Sequence, residues 1–108
     1  MEIGKHGITL EWLPPRNDGG APVRGYVIER RQGYDSQFMP IMKGIVLDTW
    51  YRDTNVFSGN DYEYRIAAEN EAGVGPFSMG TGPVVARDPF GKFVLSHELP
   101  FTTFVLCN

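Results

Sequence analysis

Little in this chain could support chemistry. One cysteine, Cys107, stands alone among 108 residues, which excludes an internal disulfide and a cysteine-built metal site. The histidines, His6 and His97, lie far apart with no accompanying ligand cluster, so no metal centre is expected. No stretch approaches the roughly 18 apolar residues of a membrane span. The opening Met1-Glu2-Ile3-Gly4-Lys5-His6 lacks the apolar core of a secretory signal. No asparagine begins an Asn-x-Ser/Thr acceptor, and Arg-Gly-Asp is absent. Net charge is −3, and the densest basic cluster is Arg30-Arg31 beside Glu29. That balance excludes an electrostatic footprint for nucleic acid or an anionic membrane. With so few thiols and no acceptor sites, a reducing, cytoplasmic setting is the expectation.

What remains is a chain of one ordinary domain's length. Hydrophobic residues make up 42% and charged residues 21%, which argues for a packed core rather than disorder. The 13 glycines and 8 prolines punctuate it at a density suited to short strands. Ile8-Thr9-Leu10-Glu11-Trp12 alternates with the period of a half-buried strand and stops at Pro14-Pro15. Asn17 to Pro22 is a dense turn signal. Tyr26 to Arg30 reads as a second strand, with Tyr26 and Ile28 on one face. Phe38 to Met42 is a weak, proline-bearing edge, and Gly44 to Asp48 is ambiguous. Thr49 to Arg52 reads as a strand ended by the turn former Asp53-Thr54-Asn55. Tyr62 to Glu69 is the clearest strand: Tyr62, Tyr64, Ile66 and Ala68 share one face, Glu63, Arg65 and Glu69 the other. A glycine-rich loop spans Asn70 to Pro76, and Val84 to Arg87 reads as a last strand. No segment has a helical period. The pattern predicts an all-β, antiparallel sandwich, which lowers the expectation of an enzyme.

These motifs resemble a fibronectin type III domain. Leu10-Glu11-Trp12 with Pro14-Pro15, the run Asp18 to Arg30, Thr49-x-Tyr51, the run Tyr62 to Asn70, and Gly73 to Ser78 match in order and spacing, over about residues 3–90. The resemblance implies a core built on Trp12, Tyr26, Ile28, Tyr51, Tyr62, Tyr64 and Ile66. It implies a tyrosine corner at Tyr62, whose hydroxyl bonds back to the backbone near the turn at Gly59. It also implies a loop organised by Asn70 and Gly73. Asp18-Gly19-Gly20-Ala21-Pro22 and the Gly-Tyr-x-Ile-Glu-Arg that follows look like the type III domains of the titin, twitchin and myosin-binding protein group. That implies a structural and protein-binding module of a giant sarcomeric protein: spacer, tension-bearing link and interaction surface. Its partners would be neighbouring immunoglobulin or type III domains and thick-filament proteins, with no cofactor and no small-molecule substrate. A module of a cell-adhesion receptor ectodomain is the alternative.

Three departures stand out. Only 11 residues precede Trp12, leaving little room for the family's proline-rich first strand, so that strand is expected to be shortened or missing. Phe38 stands where the family usually has Trp. Asp53 occupies a usually apolar position. Charge is also uneven: residues 91–108 hold one Lys and one Glu among nine apolar residues. The division expected is therefore 1–90 as the domain and 91–108 as an apolar, non-family tail. The tail has two readings. Phe101 to Leu106 could form a strand covering the edge left open by the short first strand. Alternatively, Gly91-Lys92-Phe93 can be encoded by GGT-AAG-TTT, which contains the splice-donor signal GTAAGT, so the tail would be translated intron.

Other constellations are weak. Asp61 and Glu63 read as solvated charges rather than a catalytic pair. Gly75-Pro76-Phe77-Ser78-Met79-Gly80 lacks the first glycine of a nucleophile elbow. Arg30, Arg31, Arg52, Glu63, Arg65 and Glu69 are candidates for a partner surface, although mixed charge on an outer face also serves solvation.

Overall fold

The alternation in the first strand decides which way the molecule packs. β1 (His6–Leu13) sends Ile8, Leu10 and Trp12 inward, each at most 3% exposed, because adjacent side chains on a strand point to opposite faces. The computed structural model describes residues 6–16, 19–33, 36–86 and 92–98, with His6 and 92–98 described through their backbone alone. β2 (Gly25–Gln32) directs Tyr26 and Ile28 inward, followed by the edge strand β3 (Met39–Pro40). β4 (Trp50–Val56) and β5 (Asp61–Asn70) come next, then the two-residue strands β6 (Gly73–Val74) and β7 (Val84–Val85). The last is β8 (Lys92–Glu98). No helix occurs among the described residues.

Two sheets result. One has the order β4-β1-β8; the other runs β3-β2-β5-β6, with β7 also on β5. The core lies between them. Tyr64 is 0% exposed, and Ile8, Leu10, Trp12, Tyr26, Ile28, Val56, Tyr62, Ile66, Ala68 and Ala86 surround it. Trp12 and Tyr26, from opposite sheets, meet edge to face with ring centroids 5.4 Å apart, the arrangement that aromatic quadrupoles favour. Tyr51 is partly buried and packs against this cluster rather than inside it. Tyr26 also exchanges two backbone hydrogen bonds with Val46, each 2.8 Å, tying down the segment Gly44 to Asp48.

Along β5 the partner strand is irregular. Gly75, Ser78 and Thr81 amides donate to the carbonyls of Ala68, Ile66 and Tyr64 at 2.8 to 2.9 Å. In return, the hydroxyls of Ser78 and Thr81 accept from the Ile66 and Tyr64 amides at 3.0 and 3.2 Å. Side-chain oxygens thus stand in for backbone carbonyls, so the buried amides of β5 remain satisfied without a regular edge strand.

One expectation needs correction, and one strand pairing goes beyond those expected. β4 does not end at Arg52; it runs through Asp53 to Val56, with the Asp53 carboxylate making both the local bond to the Asn55 amide and bonds to Arg30 and Tyr64 inside the sandwich. The strand beside β1 is β8, and the pair is parallel, with Thr9 opposite Lys92, Leu10 opposite Phe93 and Glu11 opposite Val94. The other strand pairs are antiparallel. The strand expected over Phe101 to Leu106 lies outside the described residues.

Candidate functional site

The turn between β4 and β5 is locked from the inside. Tyr62 is 2% exposed, and its hydroxyl accepts from the Phe57 amide at 2.9 Å and from Asn60 Nδ2 at 3.4 Å. Gly59 sits at φ 89°, a conformation that costs a residue with a Cβ. Its amide donates to the Ala86 carbonyl at 2.8 Å, tying the turn to the end of β7. At the far end of β5, the amide of buried Asn70 reaches across the loop. Its Oδ1 accepts from the Ala72 amide at 2.8 Å, and its Nδ2 donates to the Ala21 carbonyl at 3.4 Å. Gly73 follows at φ 130°.

A polar anchor spans the two sheets. Asp53 is 4% exposed. Its Oδ2 accepts from Arg30 Nη1 and from the Tyr64 hydroxyl, both at 2.7 Å, and its Oδ1 accepts from the Asn55 amide at 3.1 Å. Arg30 Nη1 also donates to the Asn55 carbonyl at 3.2 Å, and its guanidinium lies 5.4 Å from the Tyr62 ring centroid. Burial pushes the Tyr64 phenol well above its usual range, and donation to Asp53 pushes it further. Burial alone would lower the Arg30 pKa, but the hydrogen bond and charge of Asp53 outweigh it and hold Arg30 protonated. Arg30 is therefore not on the outer face: strand parity carries it inward after Tyr26 and Ile28.

On the outer face of the β2–β5 sheet, two ion pairs cross the strands. Arg31 donates to Glu63 Oε1 through Nη2 at 2.8 Å and Nε at 3.1 Å. Arg65 donates to Glu29 Oε1 through Nη2 at 2.6 Å and Nε at 2.8 Å. Aromatic rings interleave with them. The Arg65 guanidinium lies 4.5 Å from the Phe38 ring centroid and 4.4 Å from that of Phe77, and Arg31 lies 4.7 Å from Phe38. The result is a short ladder of aromatic rings and guanidinium planes. Its signal in the sequence was the shared parity of Arg31, Glu63 and Arg65, together with the aromatic Phe38 at a position where the family usually has Trp; the contribution of Phe77 comes from a loop and carried none.

The six surface candidates thus divide. Arg31, Glu63 and Arg65 form one cluster. Glu69 lies farther along β5, opposite Gly25 and Val74. Arg52 is on the other sheet, donating to Thr9 Oγ1 at 2.7 Å. Arg30 lies between the sheets. They do not make one surface, because strand parity and sheet membership separate them.

No group of three His, Cys, Asp or Glu residues could hold a metal among those described. A cleft beside Gly33, Asp61, Tyr62, Glu63 and Pro83 encloses only about 10 Å³, about one water. A wider open groove beside β3 is lined by Val27, Pro40, Ile41, Met42, Lys43 and Gly44, with Lys43 its single titratable group.

Two sheets packed face to face, with a corner tyrosine bonded back to the turn before its strand, define an immunoglobulin-like sandwich. The profile of the fibronectin type III domain matches residues 1–81, and the chain belongs to that family. Fast-type myosin-binding protein C of Mus musculus is 38% identical over 87 residues, covering 81% of this chain and 8% of that protein. The chain therefore spans a small fraction of the curated relatives it matches. Among solved structures, the twitchin kinase region from C. elegans is 32% identical at a TM-score of 0.71, over 77% of this chain and 14% of that one. A titin module from human cardiac muscle is 26% identical at a TM-score of 0.69, over 79% of this chain and 83% of that one. These relatives fall in the titin, twitchin and myosin-binding protein group.

Proposed function

We propose that the chain is a non-catalytic structural and protein-binding module of a giant sarcomeric protein. The observation that carries this reading is its 38% identity, over 81% of its length, with a myosin-binding protein. In that setting it acts as a spacer and tension-bearing link, with its neighbours in an array and thick-filament proteins as partners. Its resistance to force comes from the interstrand hydrogen bonds and from the packing around Trp12, Tyr26, Tyr62 and Tyr64. The surface best suited to a protein partner is the cluster of Arg31, Phe38, Glu63, Arg65 and Phe77, since arginine and aromatic side chains dominate protein interfaces. Co-sedimentation with purified thick filaments tests the reading. The chain is expected to pellet with them, and an Arg31→Glu/Arg65→Glu variant that still melts cooperatively is expected to remain in solution. Equal pelleting of both, or of neither, would overturn the assignment of that surface.

A further inference from the structure

The outer edge of β1 is covered by a segment from outside the family match. The matched residues end at 81, whereas β8 comprises Lys92–Glu98. On its other side β1 pairs with β4, and the Trp12 amide donates to the Thr49 carbonyl there at 3.0 Å. Because successive amides of a strand point to opposite sides, those of Thr9 and Glu11 face the β8 side. That edge cannot turn away, since Ile8, Leu10 and Trp12 on the same strand are locked in the core. A fixed row of outward amides and carbonyls is a template for another extended chain.

We propose that the outer edge of β1 is a strand-acceptor site, a binding site for an extended peptide in parallel orientation, and that the chain's own Lys92–Glu98 is its resident strand. The register places Thr9 opposite Lys92 and Glu11 opposite Val94, with a shift before Leu13 pairs with Glu98. An irregular, parallel pairing is slightly weaker per residue than an antiparallel one, which makes the resident strand exchangeable rather than part of the core.

Amide hydrogen exchange on the full chain tests this. Thr9 and Glu11 amides are expected to be protected in the unsubstituted protein. In a Val94→Pro/Leu95→Pro variant, one of the two adjacent prolines removes a donor facing β1 whatever the phase. Thr9 and Glu11 should then exchange about tenfold faster or more, while Leu10 and Trp12, which face β4, and the amides of β5 keep their rates. A synthetic peptide of residues 91–99 added to the variant should restore protection at Thr9 and Glu11 alone. Unchanged rates at Thr9 and Glu11 in the variant would overturn the proposal. So would failure of the peptide to restore them. Loss of protection at Leu10, Trp12 and β5 together would also overturn it, because β8 would then belong to the cooperative core.

Discussion

Arg30 and Arg31 are neighbours on β2 with opposite fates. Arg30 turns inward to Asp53, whose side chain is 4% exposed, and Arg31 turns outward to Glu63, at 16%. The pairs are of similar length, 2.7 and 2.8 Å, so distance does not distinguish them. Solvent does. Asp53 is nearly sealed from water, so its oxygens rely on Arg30, Tyr64 and the Asn55 amide for hydrogen bonds. Glu63 is more exposed than Asp53, so breaking its pair should cost less. The inner pair is therefore expected to contribute more to stability than the outer one.

That contrast can be broken at several points. Trp12→Ala should cost the most, about 3 to 5 kcal/mol in a denaturant titration; a loss below about 1 kcal/mol would show that the inter-sheet plug is not at Trp12. Asp53→Ala should cost about 3 kcal/mol, at the lower end for a broken buried pair because Arg30 keeps partial access to solvent.

The tyrosines give an alkaline signature. Burial raises the Tyr26 and Tyr64 pKa values above the ordinary 10.0, with the Asp53 hydrogen bond adding to the rise at Tyr64. Below that value both states are protonated and nothing changes. Above it the unfolded chain loses protons that the fold retains, so stability falls with rising pH. Each such tyrosine contributes a slope of up to about 1.4 kcal/mol per pH unit. Urea titrations from about pH 9 to about pH 11 should show the decline, and Tyr64→Phe should make it shallower. An unaltered slope in Tyr64→Phe would contradict the buried hydrogen bond. Glu63→Ala should have the smallest effect, below about 1 kcal/mol. If it matched Asp53→Ala, the distinction between the faces would fail.

How much of this was legible beforehand varies by element. The period-two alternation at Ile8-Leu10-Trp12 and at Tyr62-Tyr64-Ile66 picks out side chains that are buried here, because parity along a strand is local and survives any tertiary arrangement. Turn chemistry at Gly59 was legible for the same reason. Asp53 misled only in part: it makes the local bond to the Asn55 amide that a turn former makes, yet it lies within β4. Its parity with Tyr51 and that of Arg30 with Ile28 were visible, but not that the two would meet. For residues on different sheets, that depends on the stacking of the whole sandwich.

By itself, then, the sequence determined an all-β sandwich and most of its inward-facing residues, because these follow from periodicity and turn residues within a few positions; its family was carried by the resemblance of its motifs. Only the tertiary structure decided the rest: the union of Arg30, Asp53 and Tyr64, the stacking of Phe38 and Phe77 on arginines, and the seating of Lys92–Glu98 beside β1. Each joins segments far apart in the chain, and the energy that selects such a partner arises from desolvation and edge pairing, which exist only once the sheets have packed.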